Sequence, residues 1–585
     1  MLRVRVNCLS ELRRTSPRFP RRFVPDNLVF SSWENLEPLF RGLLDRKLES
    51  KEALEQWLLD DSELGAAIGE ELTRRRIALA CDTSGKEAEK AFLHFVENIS
   101  PKLAPYGHLI NLKFLECPYI DELDHERYAV AVRQRRCAVR LFSQDNIPLQ
   151  VEIDRLTQQY QKVTGAMMVD FKSKERTMSE MLMYFQDKDR DVRREAWKTA
   201  SERRLREAGK LDELFDKLLK LRVQLAKNTG FPDFRSYMFC AKNRFDYTPE
   251  DCVRFHDSIE KHILPVTRRM VEERQRALGV DSVRPWDMYC DRYGRDHLRP
   301  FETVDQLASG CRKMLGKVDK EIGDSFQIMI DLGLLDLESR KGKAPFSYQL
   351  QLPEVRLPYI FMSAVGLNPD VFALLHEAGH AFHQFAVREE PLLAYRSVPN
   401  EFAEVAAMTM ELLSAEHLEV FYAPVDAARA RRRHFEDTVA VFPEVGIIDA
   451  FQHWVYAHPD CSPEERSDHW FSLLEKFNNG VDWSGLDQIS RNYWHSIPHI
   501  FLRPFYFIEY AIAQLGALKI WHNSRRDKTA AVEAYKSALQ LGGSAPLPAL
   551  FKMAEIEFGF SEKTIKPVMV EVSEEVERQG RLEIG

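Results

Sequence analysis

Residues 376–380 read His-Glu-Ala-Gly-His. Two imidazoles four residues apart share one face of a helix, their Cβ atoms roughly 5–6 Å apart, and together can grip a zinc ion. Glu377 is turned off the ligand direction, where its carboxylate can act as general base on a water acidified by the metal. The implied chemistry is hydrolysis of an amide bond. Alone, the pentapeptide is also compatible with a helix bearing two surface histidines. With 17 histidines in the chain, the spacing arises by chance in roughly a few per cent of such sequences.

The surrounding residues can build the helix this chemistry needs. Asn368 suits an N-cap, Pro369 the first helical position and Asp370 the positive end of the helix dipole. A helix from there to about 388 has an apolar face of Val371, Phe372, Leu375 and Phe382 that can anchor it while His376 and His380 are presented. Strand-like segments at 348–352 and 357–362 precede it. A catalytic zinc takes a third protein ligand. A histidine six residues past His380 is excluded, because Ala386 stands there. The next helix start, from Asn400, offers Glu401 and Glu404 among small residues. Glu404, 24 residues after His380, is the better placed and Glu401 its competitor. Glu411, two turns on, suits a hydrogen-bonding support for a ligand. His383 lies on the ligand face one turn further and reads as a supporting or buried histidine.

The 585 residues are 44% hydrophobic and 29% charged, an ordinary globular composition. Helical periodicity dominates, so the chain reads as mostly α with a small sheet. Residues 1–23 form a basic leader with seven arginines and one acid, either a transit-like segment or an unstructured extension. Residues 24–195 form an N-terminal helical region and 196–585 a catalytic region. A net charge of −8 gives no reason to expect nucleic acid as partner, and no apolar run reaches the roughly 18 residues of a membrane span. Nine cysteines, odd in number and without a CxxC pair, argue against a disulfide framework and fit a reducing, cytoplasmic setting.

At this level of detail the sequence resembles the oligoendopeptidase F family, within the thimet oligopeptidase superfamily of zinc peptidases. The residues that carry the resemblance are His376-Glu377-Ala378-Gly379-His380-Ala381-Phe382-His383 and Phe402-Ala403-Glu404-Val405-Ala406. Residues 189–193, 225–231, 498–506 and 542–546 extend it over about 150–560. The resemblance implies a large helical zincin-type metallopeptidase with a small sheet beside the active-site helix, a deep substrate channel and one Zn2+ per chain. It also implies that His499, Tyr506 and Tyr510 face the metal across the channel, where they can stabilise the tetrahedral oxyanion. The same stretch could be an aromatic core, and His495 is a further candidate. Family members often carry another tyrosine where Ile508 stands. Residues 358–362 resemble the edge strand on which such enzymes lay an extended peptide, which makes Tyr359, Ile360 and Phe361 substrate-binding residues through their backbone. The expected activity is internal cleavage of short peptides. The competing readings are a carboxypeptidase or dipeptidyl carboxypeptidase of similar build, and a non-catalytic zinc-binding helical protein.

Overall fold

A computed structural model describes residues 19–83, 85–340, 342–344 and 347–584. Most of the basic leader lies outside the described residues. The architecture is mostly helical, with two small sheets. No helix among the described residues is long and apolar enough to cross a membrane.

Packing divides the chain into two main hydrophobic cores. Helices Trp33–Asp45, Lys51–Cys81, Lys86–Asn98, Ser100–Leu115 and His125–Leu141 form an N-terminal lobe around Trp33, Phe40, Trp57, Phe95 and Phe114. The larger core already includes Ile153, Leu156 and Tyr160 of helix Asn146–Gly165. The long helix Lys51–Cys81 belongs to both: Leu54 and Trp57 sit in the lobe, Ile77 and Cys81 in the larger core. Glu70 on this helix accepts the backbone N–H groups of Glu354 and Val355, each at 2.8 Å. The lobe thereby holds the turn of a β-hairpin.

That hairpin belongs to a sheet of β3 (Leu335–Glu338), β4 (Tyr348–Leu352) and β5 (Leu357–Ala364); β1 and β2 (Met168–Phe171 and Lys174–Thr177) pair separately. The order is β3-β5-β4, with β5 parallel to β3 and antiparallel to β4. This corrects the expected peptide-binding edge. Tyr359, Ile360 and Phe361 lie on the central strand, fully buried, with both strand edges paired. The near-continuous apolar run from 357 to 364 is what a strand covered on both faces requires. The edge strand is β4, whose Tyr348, Gln349, Leu350 and Gln351 are half-buried.

Beside the sheet runs the motif helix, Asn368–Ala386, which begins one residue earlier than expected, with Leu367 as its N-cap. Asp370 explains the start: its Oδ2 accepts the N–H groups of Val365 and Leu367 at 2.9 Å, closing the turn after β5. The glutamate helix, Asn400–Ser414, packs on it backbone to backbone. A Cβ at Gly379 would lie 2.6 Å from Ala407 Cα and 2.7 Å from Ala406 O, so no other residue type fits there without displacement. The tyrosine helix, Phe507–Ser524, covers the far side, where Gly516 admits Val405. Gly542 and Gly543, from the 542–546 signature, lie against the carbonyls of Tyr395 and Ser397, fixing the approach to the glutamate helix.

Candidate active site

His376 and His380 emerge from adjacent turns with their rings perpendicular and centroids 4.8 Å apart. Glu404 enters from the glutamate helix, its Oε2 3.4 Å from His376 Nε2 and 3.9 Å from His380 Nε2. One ligand atom from each of the three residues lies within 4.8 Å of the others. Glu404 Oε2 is buried without a hydrogen-bond partner among the described residues, a costly state for a carboxylate oxygen unless a cation occupies the space it faces. Two imidazoles and one carboxylate around such a gap are a donor set that fits a divalent zinc ion.

The remaining contacts hold these groups in place. Glu411 Oε1 lies 2.6 Å from His376 Nδ1, which leaves Nε2 to face the gap. His434, stacked on Phe372 at 4.0 Å, flanks Glu411 with Nε2 3.8 Å from its other oxygen. Burial pushes His380 down to about 4, so its ring is neutral and its lone pair free near pH 7. Burial opposes the charge on Glu404, but His376, His380 and the Tyr506 hydroxyl outweigh it and hold the carboxyl down at about 2.

Glu377 is 7% exposed and its Oε2 lacks a hydrogen-bond partner among the described residues. Burial raises its carboxyl to about 7, moderated by the charge of His376. The backbone of Gln349, on edge strand β4, lies close enough to lower it slightly. A general base poised near neutral pH is the state proton transfer favours.

Opposite stand the three C-terminal candidates. Tyr506 Oη donates to Glu404 Oε1 at 2.9 Å. The Tyr506 and Tyr510 rings meet at 5.1 Å, and His499 lies 5.6 Å from Tyr506 and 6.1 Å from Tyr510. The structure therefore brings all three beside His376, His380 and Glu404. Burial, followed by the charge of Glu404, pushes both tyrosine hydroxyls well up, so they keep their protons and can donate. Burial and then Arg503 push His499 down to about 4. Ile508 is fully buried core.

Other candidates are placed elsewhere. Glu401 accepts from the Tyr247 hydroxyl at 2.6 Å and faces Arg244 at 3.4 Å, so it is occupied away from the histidines. His383 is buried, 1% exposed, one turn past the ligands. His495 pairs with Asp212 at 3.0 Å. The structure also joins Cys137 to Cys240 across helices His125–Leu141 and Phe234–Ala241, with Cα atoms 5.9 Å apart. That is one crosslink where none was expected; 103 residues of separation leave no local signature.

Sequence reasoning missed the support behind the tyrosines. Lys242 Nζ donates to Glu509 Oε1 at 3.0 Å and lies 4.8 Å from the Tyr506 ring centroid, while Arg244 donates to the same oxygen at 2.6 Å. No motif in residues 240–247 signals it. Gln349 was also missed, although the alternation of 348–352 next to an apolar run could have marked β4 as the edge.

A mostly helical fold that lays two histidines and a glutamate on one helix and a second glutamate on the next, beside a small sheet, is that of a large zincin-type peptidase. The chain belongs to peptidase family M3, whose profile matches residues 183–569. An oligoendopeptidase F homolog from Borreliella burgdorferi is 25% identical over 401 residues, 64% of this chain and 63% of that protein. Several other curated relatives are matched over about half of their own length. Among solved structures, Pz peptidase A with inhibitor 2 aligns with a TM-score of 0.88 at 24% identity, covering 95% of this chain and 99% of that one. A structure assigned as oligoendopeptidase F from Bacillus anthracis str. Ames aligns with a TM-score of 0.83 at 26% identity, covering 94% and 96%.

Proposed function

We propose that this chain is a zinc-dependent endopeptidase that cleaves internal bonds of short peptides, with His376, His380 and Glu404 as metal ligands and Glu377 as general base. The observation that carries the reading is the unsatisfied, buried Glu404 Oε2 facing two imidazole nitrogens. Bound there, zinc would polarise the scissile carbonyl and acidify a water. Glu377, steadied by Gln349, takes the proton from the attacking water and delivers it to the leaving nitrogen. Tyr510 and His499 donate hydrogen bonds to the oxyanion, while Tyr506 is engaged in orienting Glu404.

The substrate is an extended peptide laid along β4, the edge strand whose backbone reaches Glu377. Backbone pairing needs no free terminus and is tolerant of side chains, which favours internal cleavage of peptides of roughly 5–20 residues at about 3.3 Å per residue. The N-terminal helices wall the channel and exclude folded proteins. The reading includes one zinc at this site and a cytoplasmic setting. The setting rests on the buried free cysteines, and alkylation of Cys137 and Cys240 in protein drawn directly from cells tests it.

A second reading has one observation in its favour. Arg503 is exposed, makes no ion pair among the described residues and lies 5.8 Å from the Tyr506 ring. Such a cation could hold a substrate's terminal carboxylate, as a dipeptidyl carboxypeptidase requires. One peptide assayed with both termini free, with each blocked and with both blocked separates the two. Cleavage of the doubly blocked peptide at an internal bond is the expected result. Loss of cleavage on blocking the C-terminus alone would replace the endopeptidase reading.

A further inference from the structure

A second cluster of metal-ligating side chains lies outside the active site. Helix Pro249–Ser258 carries Cys252 and His256, and helix Pro424–Ala457 carries Asp449 and His453. Each pair is spaced i, i+4, so each helix presents two donors on one face, and the faces oppose. Cys252 and Asp449 are fully buried, His256 is 4% and His453 6% exposed. One ligand atom each of Cys252, Asp449 and His453 lies within 4.8 Å of the others.

The hydrogen bonding in this cluster is incomplete. His256 Nε2 lies 2.9 Å from Asp449 Oδ2 and satisfies that oxygen. Asp449 Oδ1 and both ring nitrogens of His453 are buried without a hydrogen-bond partner among the described residues. His453 Nε2 approaches Asp449 Oδ2 at 3.3 Å, outside hydrogen-bond geometry. The nearby cation Arg244 is committed to Glu509 and Glu401. A hydrogen-bonded core network would satisfy these atoms; this one leaves three without partners beside a thiol.

We propose that Cys252, Asp449 and His453 bind a second zinc ion, structural in role, with His256 orienting the Asp449 carboxylate. Thiolate, carboxylate and imidazole are all zinc donors, and a thiolate plus a carboxylate neutralise the ion's charge in a buried site. The metal takes Asp449 Oδ1, the oxygen His256 does not use, and this outer hydrogen bond fixes the carboxylate.

The site sits behind the tyrosine wall. The His453 ring packs on Phe505 at 5.1 Å, and the adjacent Gln452 accepts the Phe505 backbone N–H at 2.5 Å. Phe505 holds a left-handed backbone, φ +60°, immediately before Tyr506. A metal joining the two helices fixes the platform from which Tyr506 reaches Glu404. The inference stands independently of the peptidase reading.

Cobalt substitution of the full-length chain tests it, because the His376–His380–Glu404 site contains no sulfur. Metal-depleted protein, reduced and reloaded with Co2+, should show a sulfur-to-cobalt charge-transfer band in the near ultraviolet. That band should persist in His376→Ala and vanish in Cys252→Ser. Zinc-loaded protein should hold two ions per chain by elemental analysis, and one in Cys252→Ser. If Cys252→Ser does not fold, Asp449→Asn should show the same loss, and a wild-type protein without the band overturns the proposal with no variant. One ion per chain with no sulfur band, or a band that survives Cys252→Ser, overturns the proposal. A single ion lost in Cys252→Ser but kept in His376→Ala supports this site and instead overturns the active-site metal.

Discussion

The Tyr506 hydroxyl donates to Glu404 Oε1 at 2.9 Å while Oε2 of the same carboxylate faces His376 and His380. In the proposed reading one residue of the aromatic wall thus orients a metal ligand, and its two neighbours face the substrate. The three should separate by phenotype. Tyr506→Phe should weaken zinc affinity about 10–100-fold, the cost of removing an outer hydrogen bond to a ligand. Tyr510→Phe and His499→Ala should keep the metal and lower kcat by about 10²–10³ with little change in KM, because the oxyanion exists only in the transition state. Chelator competition and steady-state kinetics on the three variants read both quantities. Intact metal affinity in Tyr506→Phe would return it to the oxyanion.

Metal binding and proton transfer should separate just as cleanly. Glu404→Ala should lose the active-site zinc, and chelation should abolish wild-type activity reversibly. Glu401→Ala should keep zinc but lose stability, on the order of 3 kcal/mol, because Arg244 and Tyr247 lose a buried partner. Glu377→Gln should retain full metal and lose about 10²–10⁴-fold in turnover. Elemental analysis beside urea melts checks the set; zinc loss in Glu401→Ala with retention in Glu404→Ala would reverse the ligand assignment.

Gly379 supplies a test of the packing that brings the ligands together. In Gly379→Ala the added methyl meets Ala407 Cα and Ala406 O at under 3 Å, both backbone atoms that cannot swing aside. The helices must separate, costing about 1–3 kcal/mol and moving Glu404 away from the histidines. Lower thermal stability together with weaker zinc binding is the expected pair of results. A stability loss with unchanged zinc affinity would mean that the ligands do not depend on this contact.

The same residues show how far the sequence could be read. The motif helix and the start of the glutamate helix follow from periodicity and punctuation, because their signals are local. Glu404 and Glu401 are both visible as carboxylates near one helix start, and Glu404 was favoured; what occupies Glu401 is Arg244 and Tyr247, more than 150 residues away and without a motif. Strand β5 went wrong for a reason present in the sequence. Its near-continuous apolar run signals a covered strand, and the expectation of an edge came from resemblance alone. The Cys137–Cys240 pair and the Lys242–Glu509–Arg244 cluster rest on tertiary proximity with no local pattern behind it.

His383 makes one consequence of burial measurable as pH dependence. Burial pushes its ring down to about 3, with the charge of His380 adding to the effect, against about 6.5 in an unfolded chain. Between those values the unfolded state holds a proton that the folded state does not. Stability therefore rises with pH across this window and is lost as pH falls below about 6.5. Each unit corresponds to about 1.4 kcal/mol, so His383 alone costs about 2 kcal/mol at pH 5 relative to pH 7. His383→Gln removes that titration while leaving every other group in place. Urea midpoints of the two proteins at pH 7 and pH 5 should show the wild type losing about 2 kcal/mol more than the variant on acidification. Any zinc ligand that protonates at pH 5 does so in both proteins and cancels in the difference. Equal losses would mean that His383 is protonated in the folded state, with a hydrogen-bond acceptor beside it.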